Sequence, residues 1–385
     1  MWKLLNFDID DFLTNYWQKK PLLIRQAIPG FSTVLSPEEL AGLACEEGVH
    51  SRLVIEKDAK KPWQLSYGPF TEDAFTSLPL SHYSLLVSEC EKWIPELQEL
   101  VDLFNFIPKW RIDDLMISYA PEHGSVGPHV DEYDVFLIQA SGKRHWSIQN
   151  TVSNDPALIA GLDLAILKEF NADQDWILQP GDMLYLPPRI AHHGIAVGDG
   201  CMTYSVGFRA PAISDIMDSF LLEASDHHLT DIRYFDPALD RDRNPAQIKD
   251  SDVQHFRALV SQMFEKSNDL WPDIVGKLVS DSSLSDDVES VECDTIEQAA
   301  GYLWQKHPDS KIFYYQTEKT IRLYFNGQMK PLELSELNLD FCQLLCNHLL
   351  ISIEDYYQIL STDTVKLILQ LINSRALIPV LDDDS

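Results

Sequence analysis

Basic residues are scarce. The 385 residues include 30 Lys and Arg against 60 Asp and Glu, a formal net charge of −30. Such a chain repels polyanions, so no direct DNA binding is expected and a basic macromolecular partner is. Plain solubility is the bland alternative. Long apolar runs are also missing. None approaches the ~18 residues that a membrane span needs, so no membrane association is expected. The first residues, Met1 to Asp8, turn acidic at once and hold no apolar h-region, which argues against a signal peptide. Cysteine is thin: Cys45, Cys90, Cys201, Cys293, Cys342 and Cys346 are scattered. Only Cys342 and Cys346 are close, at helical spacing, with no second pair to complete a zinc site. Buried thiols of a reducing, cytoplasmic setting are expected. Internal repeats, low-complexity tracts, a phosphate loop and a Ser-His-Asp set are absent. What remains is globular in composition, 45% hydrophobic and 23% charged, and long enough for two or three domains.

Along the chain, Asp10 to Lys20 reads as a helix stopped by Pro21, and Leu22 to Arg25 as a first strand. Ser36-Pro37-Glu38-Glu39 is a capping box. Arg52 to Ile55 and Trp63 to Tyr67 read as strands, and Ser84 to Glu91 and Pro95 to Phe104 as helical. Asp114 to Tyr119, Val135 to Ala140, Lys143 to Gln149, Trp176 to Leu178, Met183 to Leu186, Gly194 to Val197 and Met202 to Phe208 are strands. Residues 150 to 175 read as a polar, partly helical insertion. Short strands with turn signals thus dominate residues 22 to 208, an all-β barrel or sandwich with helical additions. After Pro211 the period turns helical, in Ile213 to Leu221, in Val253 to Phe264 behind a capping box at Ser251, and in Trp271 to Leu278. Such stripes, with no partner of their own, predict a homodimer. Ser280 to Ser290 reads as a linker. Beyond it, helices alternate with strands at Ile312 to Gln316 and Ile321 to Phe325, and Asn326-Gly327 is a turn. That part reads as a winged-helix-like α+β domain. The expected domains are therefore 1–211 catalytic, 212–280 helical dimerisation and 281–385 winged-helix-like. The last part holds eight Lys and Arg against eighteen Asp and Glu from residue 276 on, too acidic for tight duplex binding.

The chemistry centres on Gly127-Pro128-His129-Val130-Asp131-Glu132-Tyr133-Asp134. In a strand, His129 and Asp131 point to one face. One more histidine would complete the 2-His-1-carboxylate triad of non-haem Fe(II) oxygenases. Downstream, Pro180-Gly181-Asp182 is a turn, Met183 to Leu186 a buried strand and Pro187-Pro188 its stop. That order is how a double-stranded β-helix (cupin) barrel supplies its distal ligand. His192 and His193 compete for the role, and His192 sits nearer the Pro-Pro stop. The remaining histidines read as surface or satisfied core.

Alternation in Lys143 to Gln149 puts Arg144, Trp146 and Ile148 on one face and Lys143, His145 and Ser147 on the other. An arginine on an apolar face needs a partner. A small dicarboxylate such as 2-oxoglutarate would serve, gripped bidentately; a structural ion pair with Asp134 or Glu132 is the competing reading. Asp114, Met116 and Ser118 share a face of their strand. Ser118 could reach the same carboxylate, and a buried Asp114 would need a cation such as a substrate arginine or lysine.

These runs together, with Trp110 to Ser118, Gly142-Lys143-Arg144-His145-Trp146, Pro180 to Pro188, Tyr204 to Pro211 and Tyr16 to Pro21, resemble the bacterial JmjC-domain ribosomal oxygenases. The likeness is strong over residues 8 to 211 and weaker beyond. It implies a JmjC barrel, a helical dimerisation region and a C-terminal winged helix. It implies Fe(II) on His129, Asp131 and His192, and 2-oxoglutarate on Arg144 and Ser118. The substrate arginine would lie near Asp114, Met116, Tyr133 and Ser205. The stretch Arg189 to His193 departs from the family's Gly- and Pro-rich approach to the ligand. The implied activity is hydroxylation, with dioxygen as second co-substrate, of an arginine side-chain carbon in a large-subunit ribosomal protein. Another JmjC hydroxylase or N-methyl demethylase is the nearest alternative. A ligand-sensing cupin joined to a DNA-binding winged helix is the alternative of a different class.

Overall fold

A single antiparallel sheet of ten strands organises the first part of the computed structural model, which describes residues 2–56, 63–150, 156–236, 239, 241–285, 288–354 and 360–380. The strands are β1 (Leu22–Ile24), β2 (Ser51–Glu56), β3 (Trp63–Tyr67), β4 (Tyr83–Val87), β5 (Ile112–Ala120), β6 (His129–Val130), β7 (Asp134–Gln149), β8 (Gln174–Leu178), β9 (Met183–Leu186) and β10 (Ala191–Phe208). Their order is β1-β9-β7-β10-β5-β4-β2-β3, with β6 on β10 and β8 on β7. This is a cupin-like architecture. Its frame is the long ladder of β7 and β10, which runs from Ala191 opposite Gln149 to Phe208 opposite Asp134.

The fully apolar run from Val135 to Ala140 is explained by burial on both faces. Phe136 and Ile138 pack outward into an aromatic cluster with Phe12, Phe104, Tyr185 and Phe208. Ring centroids there are 4.7 Å apart for Phe104 and Phe136 and 4.8 Å for Phe12 and Tyr185. Val135 and Leu137 point the other way, into a cavity. The helix Ile9–Asn15, capped by Asp8, delivers Phe12 to the cluster. Asp134 is fully buried beneath it. Tyr185 Oη donates to it at 2.6 Å, Gln18 Nε2 at 3.1 Å and Arg111 Nη2 at 3.1 Å.

Three expectations need correction. The opening helix stops at Asn15, five residues before Lys20. Tyr83–Val87 is a strand, not the start of a helix; helix is confined to Cys90–Trp93. Leu85 to Val87 are buried between β2 and β5, and pairing on both sides overrides local helical tendency. The insertion contains no helix among its described residues, only a bridge between Leu158 and Leu167. Its residues 151–155 lie outside the described residues, as do 286 and 287 of the Ser280–Ser290 linker.

The chain divides into compact units at Met1–Ala210 and Pro211–Ser385. In the second, the helices Ile213–Asp226, Asp250–Lys266 and Trp271–Ser280 share a small core of Phe220, Ala224 and Ile274 with Phe264 and Trp271. The first turn of the middle helix is capped by Asp252, whose carboxylate accepts the Lys249 N–H at 2.9 Å; the cap thus lies two residues before Ser251. That helix buries none of its residues fully, and Val253, Phe256 and Val260 are exposed. Beyond it come β11 (Leu303–Lys306), β12 (Ile312–Gln316), β13 (Thr320–Phe325), β14 (Gln328–Glu333), β15 (Leu350–Ser352) and β16 (Leu377–Pro379). They form two three-stranded sheets, β12-β13-β14 and β15-β11-β16. Helix Trp271–Ser280 is tied to the first sheet. Tyr324 Oη donates to Asp273 at 2.7 Å, and Arg322 pairs with the same carboxylate at 3.0 Å. No helix among the described residues is long and apolar enough to cross a membrane. All six cysteines are free, and only Cys45 is not buried.

Candidate metal and co-substrate site

Strand pairing places His129 on β6 directly opposite His192 on β10. Asp131 follows β6, and its Oδ2 lies 3.8 Å from His129 Nε2 and 3.5 Å from His192 Nε2. The imidazole centroids are 4.2 Å apart. One ligand atom from each of the three lies within 4.8 Å of the others. Each ring is aimed by its own strand. His129 Nδ1–H donates to the Gly127 carbonyl and His192 Nδ1–H to the Ile190 carbonyl, both at 2.9 Å. A carbonyl can only accept, so each Nδ1 carries a hydrogen, and each Nε2 faces Asp131. Burial first, and then the neighbouring His129, push His192 down to about 4. Two neutral imidazoles and a carboxylate are the donor set of an open-faced first-row transition-metal site.

His193 points away. Its Nε2 shares a 3.0 Å hydrogen bond with Ser125 Oγ, and its ring meets Phe170 edge-on at 6.0 Å. Adjacent residues of a strand face opposite sides, so only one of the two histidines can join Asp131.

All nine residues singled out from the sequence line one cavity of about 410 Å³: His129, Asp131, His192, Arg144, Ser118, Asp114, Met116, Tyr133 and Ser205. Its two ends differ in charge. At one end Arg144 is 4% exposed, while its neighbour Lys143 is exposed. The acids that might have paired with it are engaged elsewhere: Asp134 with Arg111, and Glu132 with Arg189 at 2.8 Å. Its Nη2 has no hydrogen-bond partner. The guanidinium lies 5.7 Å from the centre of the Trp146 ring. Ser118 is buried across the β5–β10 ladder, opposite Thr203, and donates to the Thr203 carbonyl at 3.3 Å. A buried, permanently charged guanidinium with an unused N–H calls for an anion.

At the other end Asp114 sits among Asp113, Glu89 and Glu91, with the cation Arg52 opposing them in part. Burial first, then Asp113, push its carboxyl up to about 6, although the Glu89 N–H donates to it at 3.4 Å. Burial lifts Glu91 to about 7, against the Leu115 N–H that donates to it at 2.9 Å. Met116 pairs with Ser205 across the ladder, and Tyr133, 43% exposed, stands at the rim. Its hydroxyl is held protonated by burial and by Asp131.

Sequence reasoning passed over several lining residues: Arg52, Ser84 and Ser88 from β2, β4 and the turn after it, Leu164 to Ile166 from the insertion, and Thr203. No local signal marks Arg52 or Ser84, because only sheet register brings β2 and β4 to the wall. Trp146 was detectable, since it shares the inward face with Arg144. It stands opposite Gly194, where a Cβ would come within 2.7 Å of the indole ring; the glycine makes room for the tryptophan beside His192.

The JmjC domain family matches residues 99–216, and the AraC-like ligand binding domain matches residues 170–270. The "Probable ribosomal oxygenase" of Haemophilus influenzae is 34% identical over 345 residues, 85% of this chain and 82% of that one. The "Ribosomal protein uL16 3-hydroxylase" of Escherichia coli K12 is 37% identical over 262 residues, 68% of this chain and 69% of that one. The solved structure of YcfD, an E. coli ribosomal oxygenase in complex with cobalt and 2-oxoglutarate, superposes with a TM-score of 0.80 at 29% identity, covering 98% of this chain and 99% of that one. With a relative this similar along most of both chains, this chain belongs to the JmjC-domain ribosomal oxygenases.

Proposed function

We propose that this chain is an Fe(II)- and 2-oxoglutarate-dependent protein hydroxylase, acting on an arginine side-chain carbon of a basic large-subunit ribosomal protein. The observation that carries the reading is the single cavity with a three-donor cluster, an unpaired cation at one end and a half-buried acid at the other. The names of the relatives support it: one is a uL16 3-hydroxylase, and another was solved with cobalt and 2-oxoglutarate.

His129, Asp131 and His192 hold the iron. Bound there, the metal supplies the dioxygen chemistry that turns a C–H into a C–OH while 2-oxoglutarate becomes succinate and carbon dioxide. The protein's own part is binding and aim. Arg144 grips the distal carboxylate of 2-oxoglutarate in two N–H···O contacts, and Ser118 turns its hydroxyl to the same group. Asp114 receives the substrate guanidinium. Met116, Tyr133 and Ser205, which line the same cavity, would pack along its stem. The apolar walls of Val135, Leu137 and Ile166 exclude water.

Outside the cavity, the exposed face of Asp250–Lys266 and the 77%-exposed Ile213 support a homodimer formed through residues 212–280. Residues 281–385 act as a winged-helix-like domain that does not bind DNA. The catalytic domain spans 1–211, and the free cysteines suit the cytoplasm.

The test is mass spectrometry of large-subunit ribosomal proteins from cells with and without this protein. The expected result is an arginine peptide 16 Da heavier only when the protein is present, as one oxygen atom requires. Identical ribosomal proteins in both strains, with the protein expressed, would sink the proposal.

A further inference from the structure

Arg144 is aimed by a thiol. Its Nε donates to Cys201 Sγ at 3.4 Å, and no described acid lies within ion-pair range of it. Cys201 is fully buried. The same sulfur takes a second donor, Gln139 Nε2, at 3.4 Å. Gln139 is itself fixed: its two Nε2 hydrogens are shared among that sulfur, the Ser141 carbonyl at 2.7 Å and the Met202 carbonyl at 3.2 Å, and its Oε1 accepts from Thr203 Oγ1 at 3.1 Å. Thr203 in turn is the residue whose carbonyl accepts from Ser118. One connected network therefore lies behind both Arg144 and Ser118.

The backbone is built for this contact. The β7–β10 ladder breaks register between Val197 and Met202, and Cys201 lies in that irregularity. Across from it Gly142 has φ +59°, and a Cβ there would sit 2.9 Å from Cys201 Cα. Only glycine allows that approach, which swings the thiol inward beneath the guanidinium.

We propose that Cys201 is the positioning residue of the co-substrate pocket. It holds Arg144 by its Nε edge so that the Nη edge faces the cavity, and it does so without a charge of its own. A carboxylate in that place would also fix the guanidinium, but it would neutralise it and compete with the dianion that Arg144 is kept to bind. A thiol is a weak, neutral acceptor with a long reach, so it orients the cation and leaves its charge unspent. This inference rests on the reading of Arg144 as the 2-oxoglutarate anchor.

The experiment is calorimetric titration of 2-oxoglutarate into full-length protein loaded with Mn(II), with oxygen excluded. Wild type, Cys201→Ala, Cys201→Ser, Cys201→Asp and Arg144→Met are compared, with melting curves and Mn(II) affinity for each. Cys201→Ala is expected to weaken 2-oxoglutarate about three- to tenfold, the loss of one modest contact to a charged group. Cys201→Ser should recover most of that, because the hydroxyl also accepts. Cys201→Asp should abolish detectable binding while the protein stays folded, since Asp would pair with Arg144. Mn(II) affinity should be unchanged throughout. In turnover, KM for 2-oxoglutarate should rise for Cys201→Ala while kcat at saturation stays near wild type. Wild-type affinity in both Cys201→Ala and Cys201→Asp, with Arg144→Met inactive in binding, overturns the role of Cys201 alone. If Arg144→Met itself binds 2-oxoglutarate normally, the parent reading of the pocket falls instead. Should Cys201→Ala not fold, the Ser and Asp variants decide: equal affinities in the two refute the proposal.

Discussion

The cavity holds a buried cation at one end and a half-buried carboxylate at the other, the latter offset only in part by Arg52, and the two ends tolerate their charge differently. Arg144 cannot shed its charge at any relevant pH. It is held instead by a thiol and an indole face, with Nη2 left without a partner. Asp114 can shed its charge by taking a proton, and burial lifts its carboxyl to about 6. The cationic end is therefore a permanent socket for an anion. The acidic end is a conditional socket for a cation, open only when the pH allows. Between them stand two imidazoles aimed by their carbonyl partners, and burial pushes that of His192 down to about 4.

The largest effects should come from the cluster between the ends. His192→Ala is expected to abolish metal-dependent turnover, whereas His193→Ala, whose side chain bonds Ser125, should keep most of it. Metal affinity by titration and turnover of 2-oxoglutarate check both. Inactivation by His193→Ala alone would reverse the assignment. Next comes the cationic end. Arg144→Ala removes a bidentate charge-assisted grip, on the order of 2–5 kcal/mol, so 2-oxoglutarate affinity should fall at least ~30-fold. Lys143→Ala, on the exposed face, should change it less than twofold. Equal losses would mean that the inward placement of Arg144 has no functional consequence.

How these residues came to be readable has a physical basis. His129 and Asp131 are two apart, so strand geometry alone puts them on one face. Arg144 and Trp146 follow the same rule and end in the same cavity. The choice between His192 and His193 also follows from alternation once β6 is known to pair with β10, but that pairing is tertiary and no local pattern reports it. Arg52 and Ser84 were invisible for the same reason: β2 and β4 reach the wall through sheet register. The strand Tyr83–Val87 was misread because its apolar residues, buried on both faces, carry no period. The starts of the second unit's helices were legible within two residues, as the cap at Lys249 rather than Ser251 illustrates, but the first runs five residues past Leu221, to Asp226.

The acidic end should show the conditional behaviour in two measurements. For an arginine peptide, kcat/KM should fall as the pH drops through about 6, because the protonated carboxyl no longer attracts a cation. Asp114→Asn should lower kcat/KM about ten- to a hundredfold at pH 8, the value of a hydrogen bond between charged groups, and flatten that acid limb. Stability should move the other way. The folded carboxyl titrates above its ordinary value of 3.8, so its ionisation costs the fold stability. That cost is absent below pH 3.8 and develops as the pH rises through about 6. Asp114→Asn should therefore melt higher than wild type at pH 8 and level with it at pH 4. An unchanged pH profile together with a lower melting point at pH 8 would make Asp114 a structural acid.

The smallest effect separates the ends by sign. Both open into one cavity of a chain with a net charge of −30, so both ligands cross the same negative field. That field opposes the 2-oxoglutarate dianion and favours a basic peptide. Salt shortens the screening length from ~10 Å at 0.1 M to ~3 Å at 1 M, so it should act oppositely on the two association rates. The rate constant for 2-oxoglutarate should rise severalfold from low to high salt, and that for an arginine-rich peptide should fall by a comparable factor. Stopped-flow measurements with Mn(II)-loaded protein resolve the two. Slopes of the same sign would mean that local contacts at each end, and not the field of the whole chain, govern approach. A flat response for the peptide alone would confine the acidic surface to solubility and leave cation binding to Asp114 and the acids beside it.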